Sequence, residues 1–313
     1  MKNSLDSFSM VVPDVPAAAH LFGTVFGAQV LSAAPGRQGP DGLGEDVVDD
    51  HGAPAHSALL RLDAHTQLRL LAYEATAGTT FGATAVDIGT AHFCFRVGDI
   101  EQAARFIDRY PGTRILGDVQ EIPEGPLRHH KWVYFRLPWG AYGELQEWAE
   151  SPSAEALELF HGQVPPSSAL VPTLMGLDHV GYSVRNLESA IDVLTHSLGG
   201  RYVLGSVITP DENFMRRQFE TPVAARSKMA MVRVGDHTNL ELFEHEVDAE
   251  REPGDRLAVG HSRLVFASDD VAGSAAELSR RFGFAEAGRG DATAAGRTAL
   301  LTAGSGLDVE FIS

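Results

Sequence analysis

One amphipathic pattern occurs four times along this chain, and this repeat constrains the fold more than any other feature. The segment LDHVGYSVRNLESA at 177–190 aligns without a gap with LDSFSMVVPDVPAA at 5–18. In the same way, TAHFCFRVGDIEQAARF at 90–106 aligns with HSRLVFASDDVAGSAAEL at 261–278. Self-similarity at a regular spacing indicates an ancestral unit that was duplicated twice.

Each copy begins with an alternating apolar segment, typical of a strand, and continues into an amphipathic helix. In the third copy, HVGYSV predicts a strand and RNLESAIDVLTHSL predicts a helix that ends at Gly199 and Gly200. The segments RYVLGSV, FMRRQFE and KMAMVRVG are predicted to be further strands, and the last returns through DHT into NLELFE as a hairpin. The unit is therefore predicted to be β-α-β-β-β.

The repeat sets the domain organisation. A linker at 151–174, rich in Ser and Pro and with room for one short helix, separates an N-terminal half (1–150) from a C-terminal half. The approximate module bounds are 5–75, 88–150, 175–247 and 258–313. One such module leaves a concave sheet face exposed, so modules must pair to bury it. We expect an α+β fold in which four βαβββ modules pair into two cupped half-barrel sheets.

Composition narrows the class of partner. The 313 residues suit two domains of about 150 residues, and the net charge of −17 disfavours nucleic acid or an anionic membrane as partner. The single cysteine, Cys94, excludes an internal disulfide and suits a reducing compartment. There is no signal-like N-terminus and no apolar run of about 18 residues. We expect a cytoplasmic protein that acts on a small molecule.

The motifs resemble those of a known family. The LDHVGYSV-like first strand, together with the last strands PWGAYGELQE and NLELFE, is similar to the vicinal oxygen chelate superfamily. That superfamily includes glyoxalase I, methylmalonyl-CoA epimerase, extradiol ring-cleaving dioxygenases, fosfomycin resistance enzymes and bleomycin-binding proteins. The resemblance covers nearly the whole chain. It implies that two modules form a cup around one divalent metal ion, with a first-strand His and a last-strand Glu from each module.

These family positions are filled unevenly here. Modules two and three each carry a complete pair, which the resemblance makes metal ligands: His92 with Glu144, and His179 with Glu241. Modules one and four carry Ser7 with Arg69, and Arg263 with Glu310. Arginine places positive charge where a cation would sit, which disfavours a metal ion at short range.

Two pairings of the modules are possible. Pairing within each half gives two cups, each with two plausible ligands and a competing arginine. Pairing the inner modules with each other gathers all four ligands in one cup and leaves the outer cup metal-free, and this is the arrangement we favour. The same set can also assemble across a homodimer interface. Two imidazoles and two carboxylates leave two octahedral positions open and suit Zn, Ni, Co, Mn or Fe(II).

The resemblance implies a metal-dependent isomerase, epimerase or lyase of the glyoxalase type. In this chemistry a proton moves next to a carbonyl through a metal-stabilised enediolate, with Glu144 or Glu241 as acid/base. Epimerases of sugar-derived ketones and of methylmalonyl-CoA both fit. Trp132 and Tyr134, which alternate along one predicted strand, and Arg217 are candidates for substrate binding.

Two other functions remain open at this point. An extradiol-type Fe(II) dioxygenase needs two His and one Glu, which a register shift would supply as His179, His261 and Glu310. A metal-free protein that binds a drug or metabolite, similar to bleomycin resistance proteins, would use an aromatic-lined cup without catalysis.

Overall fold

A computed structural model describes residues 3–35, 54–161, 166, 168–221, 226–247, 257–293 and 296–313. Module one consists of β1 (Asn3–Val11), α1 (Val15–Val25), β2 (Gln29–Pro35), β3 (His56–Arg61) and β4 (Gln67–Ala72). Module two consists of β5 (Ala91–Val97), α2 (Ile100–Arg109), β6 (Arg114–Ile115), β7 (Gln120–Glu121), β8 (Lys131–Arg136) and β9 (Tyr142–Glu147).

The C-terminal half repeats this plan. A short helix, α3 (Ala154–Leu157), lies in the predicted linker, of which residues 162–165 and 167 are outside the described part. Module three consists of β10 (Leu174–Ser183), α4 (Leu187–Ser197), β11 (Gly200–Ile208), α5 (Glu212–Gln218), β12 (Arg226–Val234) and β13 (Thr238–Glu246). Module four consists of β14 (Ser262–Ser268), α6 (Val271–Phe282), β15 (Ala285–Thr293), β16 (Gly296–Thr302) and β17 (Asp308–Ile312).

The modules pair as two sheets, which confirms the predicted fold class. The inner sheet joins modules two and three in the order β11-β12-β13-β10-β5-β9-β8-β6, with β7 also paired to β8. The outer sheet joins modules one and four in the order β15-β16-β17-β14-β1-β4-β3-β2. The favoured inner pairing is therefore the observed one. Each sheet contains two modules, one from each half of the chain. The division into two domains at the linker stays a prediction.

Both sheets have the same internal symmetry. The first strands of the two modules pair antiparallel at the sheet centre, as β5 with β10 and β1 with β14. Each first strand also pairs in parallel with the last strand of its own module. In each sheet, the predicted ligand positions lie on the first and last strands of the two modules. These four strands are adjacent, so the topology brings the positions to the middle of the sheet.

A capping residue begins each of the four main helices. The side chains of Asp14, Asp99, Asn186 and Asp270 each accept a hydrogen bond from a backbone N–H in the first turn. This satisfies donors that have no partner within the helix. The apolar faces of these helices pack into the main hydrophobic core. None of the described helices is long and apolar enough to cross a membrane.

One predicted strand is wrong. The segment FMRRQFE lies mainly in helix α5 and not in a strand. Asp211 caps this helix by accepting a hydrogen bond from the Phe214 N–H, and Met215 and Phe219 are buried on one side of it. A capping aspartate and two apolar residues four positions apart are helix signals, and they override the strand-like appearance of the segment.

Candidate metal centre

Strand register brings the four predicted ligands into two neighbouring rows of the inner sheet. The first row crosses β9, β5 and β10 and contains Glu144, Cys94 and His179. The second row crosses β5, β10 and β13 and contains His92, Gly181 and Glu241. Because alternate strand residues share one face, both histidines and both glutamates point to the same side of the sheet.

The four side chains converge on one point within a single chain. The Nε2 atom of His92 lies 3.1 Å from Glu144 Oε2 and 3.2 Å from Glu241 Oε2. The Nε2 atom of His179 lies 3.5 Å and 3.4 Å from the same two oxygens. One ligand atom from each residue lies within 4.8 Å of all the others. The set therefore needs no second copy of the chain to assemble.

The site has the properties expected of metal ligands. His92, Glu144, His179 and Glu241 are 6%, 4%, 1% and 7% exposed. Three of the converging atoms, Nε2 of both histidines and Oε2 of Glu144, are buried and face other atoms of the cluster without a well-directed hydrogen bond. Such atoms are costly to bury unless something else binds them. Two imidazoles and two carboxylates fit a divalent cation, and these four residues would hold it.

The charges of the cluster shift its own pKa values. Burial alone would lower the pKa of His92, but the carboxylates of Glu144 and Glu241 raise it. Burial likewise opposes the charged form of His179, yet its pKa is raised well above the usual value by its neighbours, Glu241 and Asp178 among them. Burial would raise the pKa of Glu241, but the two histidines lower it to about 2. Without a metal ion, the carboxylates therefore favour the protonated form of both imidazoles.

A buried carboxylate orients one of the two histidines. Asp178 Oδ1 lies 3.0 Å from His179 Nδ1, and Asp178 Oδ2 accepts a hydrogen bond of 2.7 Å from Trp148 Nε1. An irregularity in the pairing of β10, between Leu177 and His179, allows the two consecutive side chains to meet. A carboxylate on the outer nitrogen fixes the tautomer in which Nε2 is free to bind a metal ion. His92 differs, because its Nδ1 lies 3.5 Å from the hydroxyl of Tyr134.

A glycine makes room for the other histidine. A Cβ atom added at Gly181 would lie 1.9 Å from Cε1 and 2.2 Å from Nε2 of His92. Any side chain at this position would therefore displace the imidazole. Neither Asp178 nor Gly181 was identified as functional from the sequence, although both lie in the segment LDHVGYSV. The indication in the sequence was the alignment of the repeats, which places Asp178 over Asp6 of the first copy.

A cavity opens onto the glutamates. It has a volume of about 430 Å³ and is lined by Glu144, Glu241 and the predicted substrate-binding residues Trp132 and Tyr134. Phe214 and Phe219, from α5 and its C-terminal end, complete one aromatic wall beside Trp132. The volume is within the range typical of small-molecule sites. Sequence reasoning missed this wall because it treated α5 as a strand.

The structure does not bring Arg217 into the cavity. Its guanidinium pairs with the carboxylate of Asp118, and both side chains are largely exposed. The reason is the helical conformation of α5, in which Phe214 lines the cavity while Arg217 points towards the β6–β7 loop. The prediction that Arg217 contacts substrate is not supported by this position.

The three ligands of the alternative dioxygenase reading are not united. His179 lies in the inner sheet, whereas Glu310 lies on β17 in the outer sheet. His261 precedes β14, and its Nε2 lies 3.0 Å from Asp308 Oδ2. Among the described residues, the one group that could hold a metal ion through at least three such side chains is the inner His/Glu set.

Comparison with known proteins agrees with this picture. No family model matches the sequence. The chain is 34% identical to 2-epi-5-epi-valiolone epimerase from Actinomyces sp over 134 residues, which cover 43% of this chain and 73% of the relative. Glyoxalase I from Zea mays has a similar structure, with a TM-score of 0.61 at 15% identity over 100% of this chain and 92% of that one.

A second solved structure has the same fold. A putative dioxygenase from Bacillus subtilis matches with a TM-score of 0.54 at 13% identity, over 99% of this chain and 84% of that one. The epimerase relative and the buried His/Glu cluster together support a metal-dependent isomerase or epimerase. The sequence relative and the shared fold lead to one conclusion: the chain belongs to the vicinal oxygen chelate superfamily.

Proposed function

We propose that this protein is a divalent-metal-dependent epimerase that inverts a stereocentre next to the carbonyl group of a small ketone. The observation that carries the proposal is the convergence of two buried imidazole nitrogens and two buried carboxylates at the base of a cavity. The epimerase relative supports the same reaction class, since the suffix of valiolone denotes a ketone.

The four ligands define what the bound group would do. A divalent cation held by His92, Glu144, His179 and Glu241 would polarise the carbonyl oxygen and acidify the adjacent C–H. The two histidines supply neutral ligands, and the two glutamates balance the charge of the cation. Asp178 holds His179 in the required tautomer, and Gly181 leaves space for the ring of His92.

The glutamates are suited to moving the proton. Both line the cavity, and they come from the last strands of two different modules, β9 and β13. Inversion at carbon requires that a proton leave one face and that a proton arrive at the other. We propose that one carboxylate accepts the C–H proton, and that the other, which takes up a proton from solvent as it is released from ligation, donates that proton to the opposite face. Exchange of protons with solvent restores the pair between turnovers.

The aromatic side chains shape the site around this chemistry. Tyr134 is buried, and burial together with the charge of Glu144 raises the pKa of its hydroxyl well above the usual value. It therefore remains a neutral hydrogen-bond donor beside His92. Trp132 and Phe219 form an apolar wall that excludes water from the reacting carbon.

The test is isotope exchange with the metal-loaded protein. In deuterium oxide, 2-epi-5-epi-valiolone and related sugar-derived ketones are incubated with the protein and followed by proton NMR. We expect loss of the C–H signal next to the carbonyl together with formation of an epimer. Removal of the metal ion by a chelator should abolish both the exchange of the C–H proton and the formation of the epimer.

Two variants separate the steps. Glu144→Gln and Glu241→Gln should each block epimer formation, and the variant that retains the proton-accepting carboxylate should still exchange C–H for C–D. Metal-loaded wild type that binds these ketones without exchange or epimer formation would contradict the proposed reaction. Consumption of oxygen with catechols would instead support a dioxygenase.

A further inference from the structure

The charge of the cavity distinguishes between substrate classes. Of the described residues that line it, none is a lysine or an arginine. Four are glutamates: Glu144 and Glu241 at the base, and Glu121 and Glu124 farther out. A divalent cation would neutralise the two at the base, and Glu121 lies 2.6 Å from His129 Nδ1, so the lining would keep no positive charge of its own beyond the cation.

Three arginines of the surrounding elements pair with carboxylates outside the cavity lining. Arg114 and Arg136 both donate to Glu220, at 2.6 Å each. Arg217 pairs with Asp118. Through these pairs, α5 and the nearby Glu220 are connected to module two outside the cavity lining.

The lysines of the inner sheet are engaged in the same way. Lys131 pairs with Glu147 at 3.0 Å, and Lys228 pairs with Glu244 at 2.7 Å. Because successive strand residues point to opposite faces, Lys131 lies on the face away from its neighbour Trp132, which lines the cavity. Among the described residues that line the cavity, a substrate anion would therefore find no side-chain cation to pair with.

The remaining lining combines aromatic and neutral polar side chains. Trp132, Phe214 and Phe219 provide an apolar wall, while Gln120, Gln146 and Ser206 offer neutral hydrogen-bonding groups. Such a surface suits a ring whose C–H face packs on aromatic groups and whose hydroxyls bond to amides. A phosphate or carboxylate buried here would lose its hydration without a compensating charge.

We infer that the substrate is an uncharged, polyhydroxylated ketone, and that phosphorylated sugars, carboxylates and acyl-CoA thioesters are excluded from this cavity. This inference rests on the proposed function, because it takes the metal cluster as the place where the carbonyl binds. It selects sugar-derived ketones over methylmalonyl-CoA as the substrate type for this chain.

The test uses two metal-chelating probes that differ in remote charge. Both 4-(hydroxymethyl)benzohydroxamic acid and 4-carboxybenzohydroxamic acid present the same vicinal oxygens to the metal ion. They are titrated into zinc-loaded protein by calorimetry at low salt. We expect the hydroxymethyl probe to bind at least about tenfold more tightly, because the carboxylate is desolvated without a partner.

Two charge variants test whether the cavity itself is responsible. Gln146→Lys and the exposed Thr209→Lys each add a cation to the lining and should reduce the difference between the probes. Gln146→Met, of similar size and neutral, is the matched control and should retain the preference for the hydroxymethyl probe. Circular dichroism establishes that each variant is folded, and the exposed position of Thr209 protects the test from a failure of folding at Gln146.

The outcomes separate the inference from the function on which it rests. Equal or tighter binding of the carboxylate probe to the wild type would overturn the neutral-substrate inference and leave the proposed reaction intact. Binding of neither probe to zinc-loaded protein would overturn both, since the metal ion would then not be accessible to vicinal oxygens from the cavity.

Discussion

At the two central points where the inner sheet has His92 and His179, the outer sheet has Arg263 and Ser7. The register is the same in both sheets: Ser9 lies opposite Arg263 in the outer sheet, as Gly181 lies opposite His92 in the inner one. One backbone arrangement therefore supports two different sites. The fold sets the positions, and a few side chains decide what is bound there.

The outer sheet compensates its buried charge within the protein. Arg263 is 1% exposed, and its Nη2 lies 3.4 Å from the hydroxyl of Tyr73. Burial would lower the pKa of this guanidinium, but Tyr73 and Glu310 raise it. Arg69 lies 3.7 Å from Glu310. The guanidinium groups thus place fixed positive charge where the inner sheet has an arrangement suited to a metal cation.

The largest expected effect comes from removing a first-strand histidine. His92→Ala and His179→Ala should each weaken metal binding by more than the ~10–100-fold typical of outer-shell changes, because each removes a direct ligand. The matched outer variants Arg263→Ala and Ser7→Ala should leave about one equivalent of metal bound. Elemental analysis after gel filtration measures both. Retention of the metal ion in both histidine variants would contradict the proposed ligand set.

The next largest effect is expected from a single methyl group. Gly181→Ala would bring a Cβ atom within 2.2 Å of His92 Nε2, so the ring must move and metal binding should weaken by about 100-fold. Overpacking should also cost about 1–3 kcal/mol of unfolding free energy. The matched change is Ser9→Ala, which removes a buried hydroxyl that has no hydrogen-bond partner. Chelator competition and urea unfolding compare the two; equal metal affinities would refute the steric argument.

A smaller effect distinguishes the two matching aspartates. Asp178→Asn should weaken metal binding ~10–100-fold, because one amide cannot accept hydrogen bonds from both His179 and Trp148. Asp6 lies at the same pairing irregularity in β1, where its carboxylate accepts a hydrogen bond from the hydroxyl of Ser7. Asp6→Asn should therefore leave metal affinity unchanged. The absorption spectrum of the cobalt-substituted protein should shift for Asp178→Asn alone.

The smallest effect concerns pH. The pKa values of His92 and His179 are raised in the metal-free protein, and an imidazole nitrogen must be free of its proton to bind a metal ion, so protons compete with the metal ion at this site. Affinity should fall as the pH falls, by about tenfold per unit for each displaced proton. Calorimetry in buffers of different ionisation enthalpy counts the protons released. In Arg263→Ala the count should be the same as in the wild type, and zero release in the wild type would contradict the pKa shifts.

Much of the fold follows from local patterns that the sequence repeats. The four modules, their capped helices and the alignment of His179 with Ser7 are all readable from residue type and spacing. The segment FMRRQFE is predicted as a strand, whereas Asp211 caps a helix there. In this helix Arg217 pairs with Asp118 outside the cavity lining. The homodimer, the cytoplasmic location and a ligand-binding role for the outer cup stay predictions.

The sequence by itself determined the repeat and the secondary structure of most modules, because these depend on residue type and on neighbours close along the chain. Its resemblance to the superfamily indicated the four candidate ligands. Only the tertiary structure decided which modules share a sheet, since pairing of β5 with β10 depends on contacts between distant segments. It also decided that Gly181 accommodates His92 and that the cations surrounding the cavity pair with carboxylates outside it. Those facts are distances between atoms, and a linear pattern of residue types does not contain them.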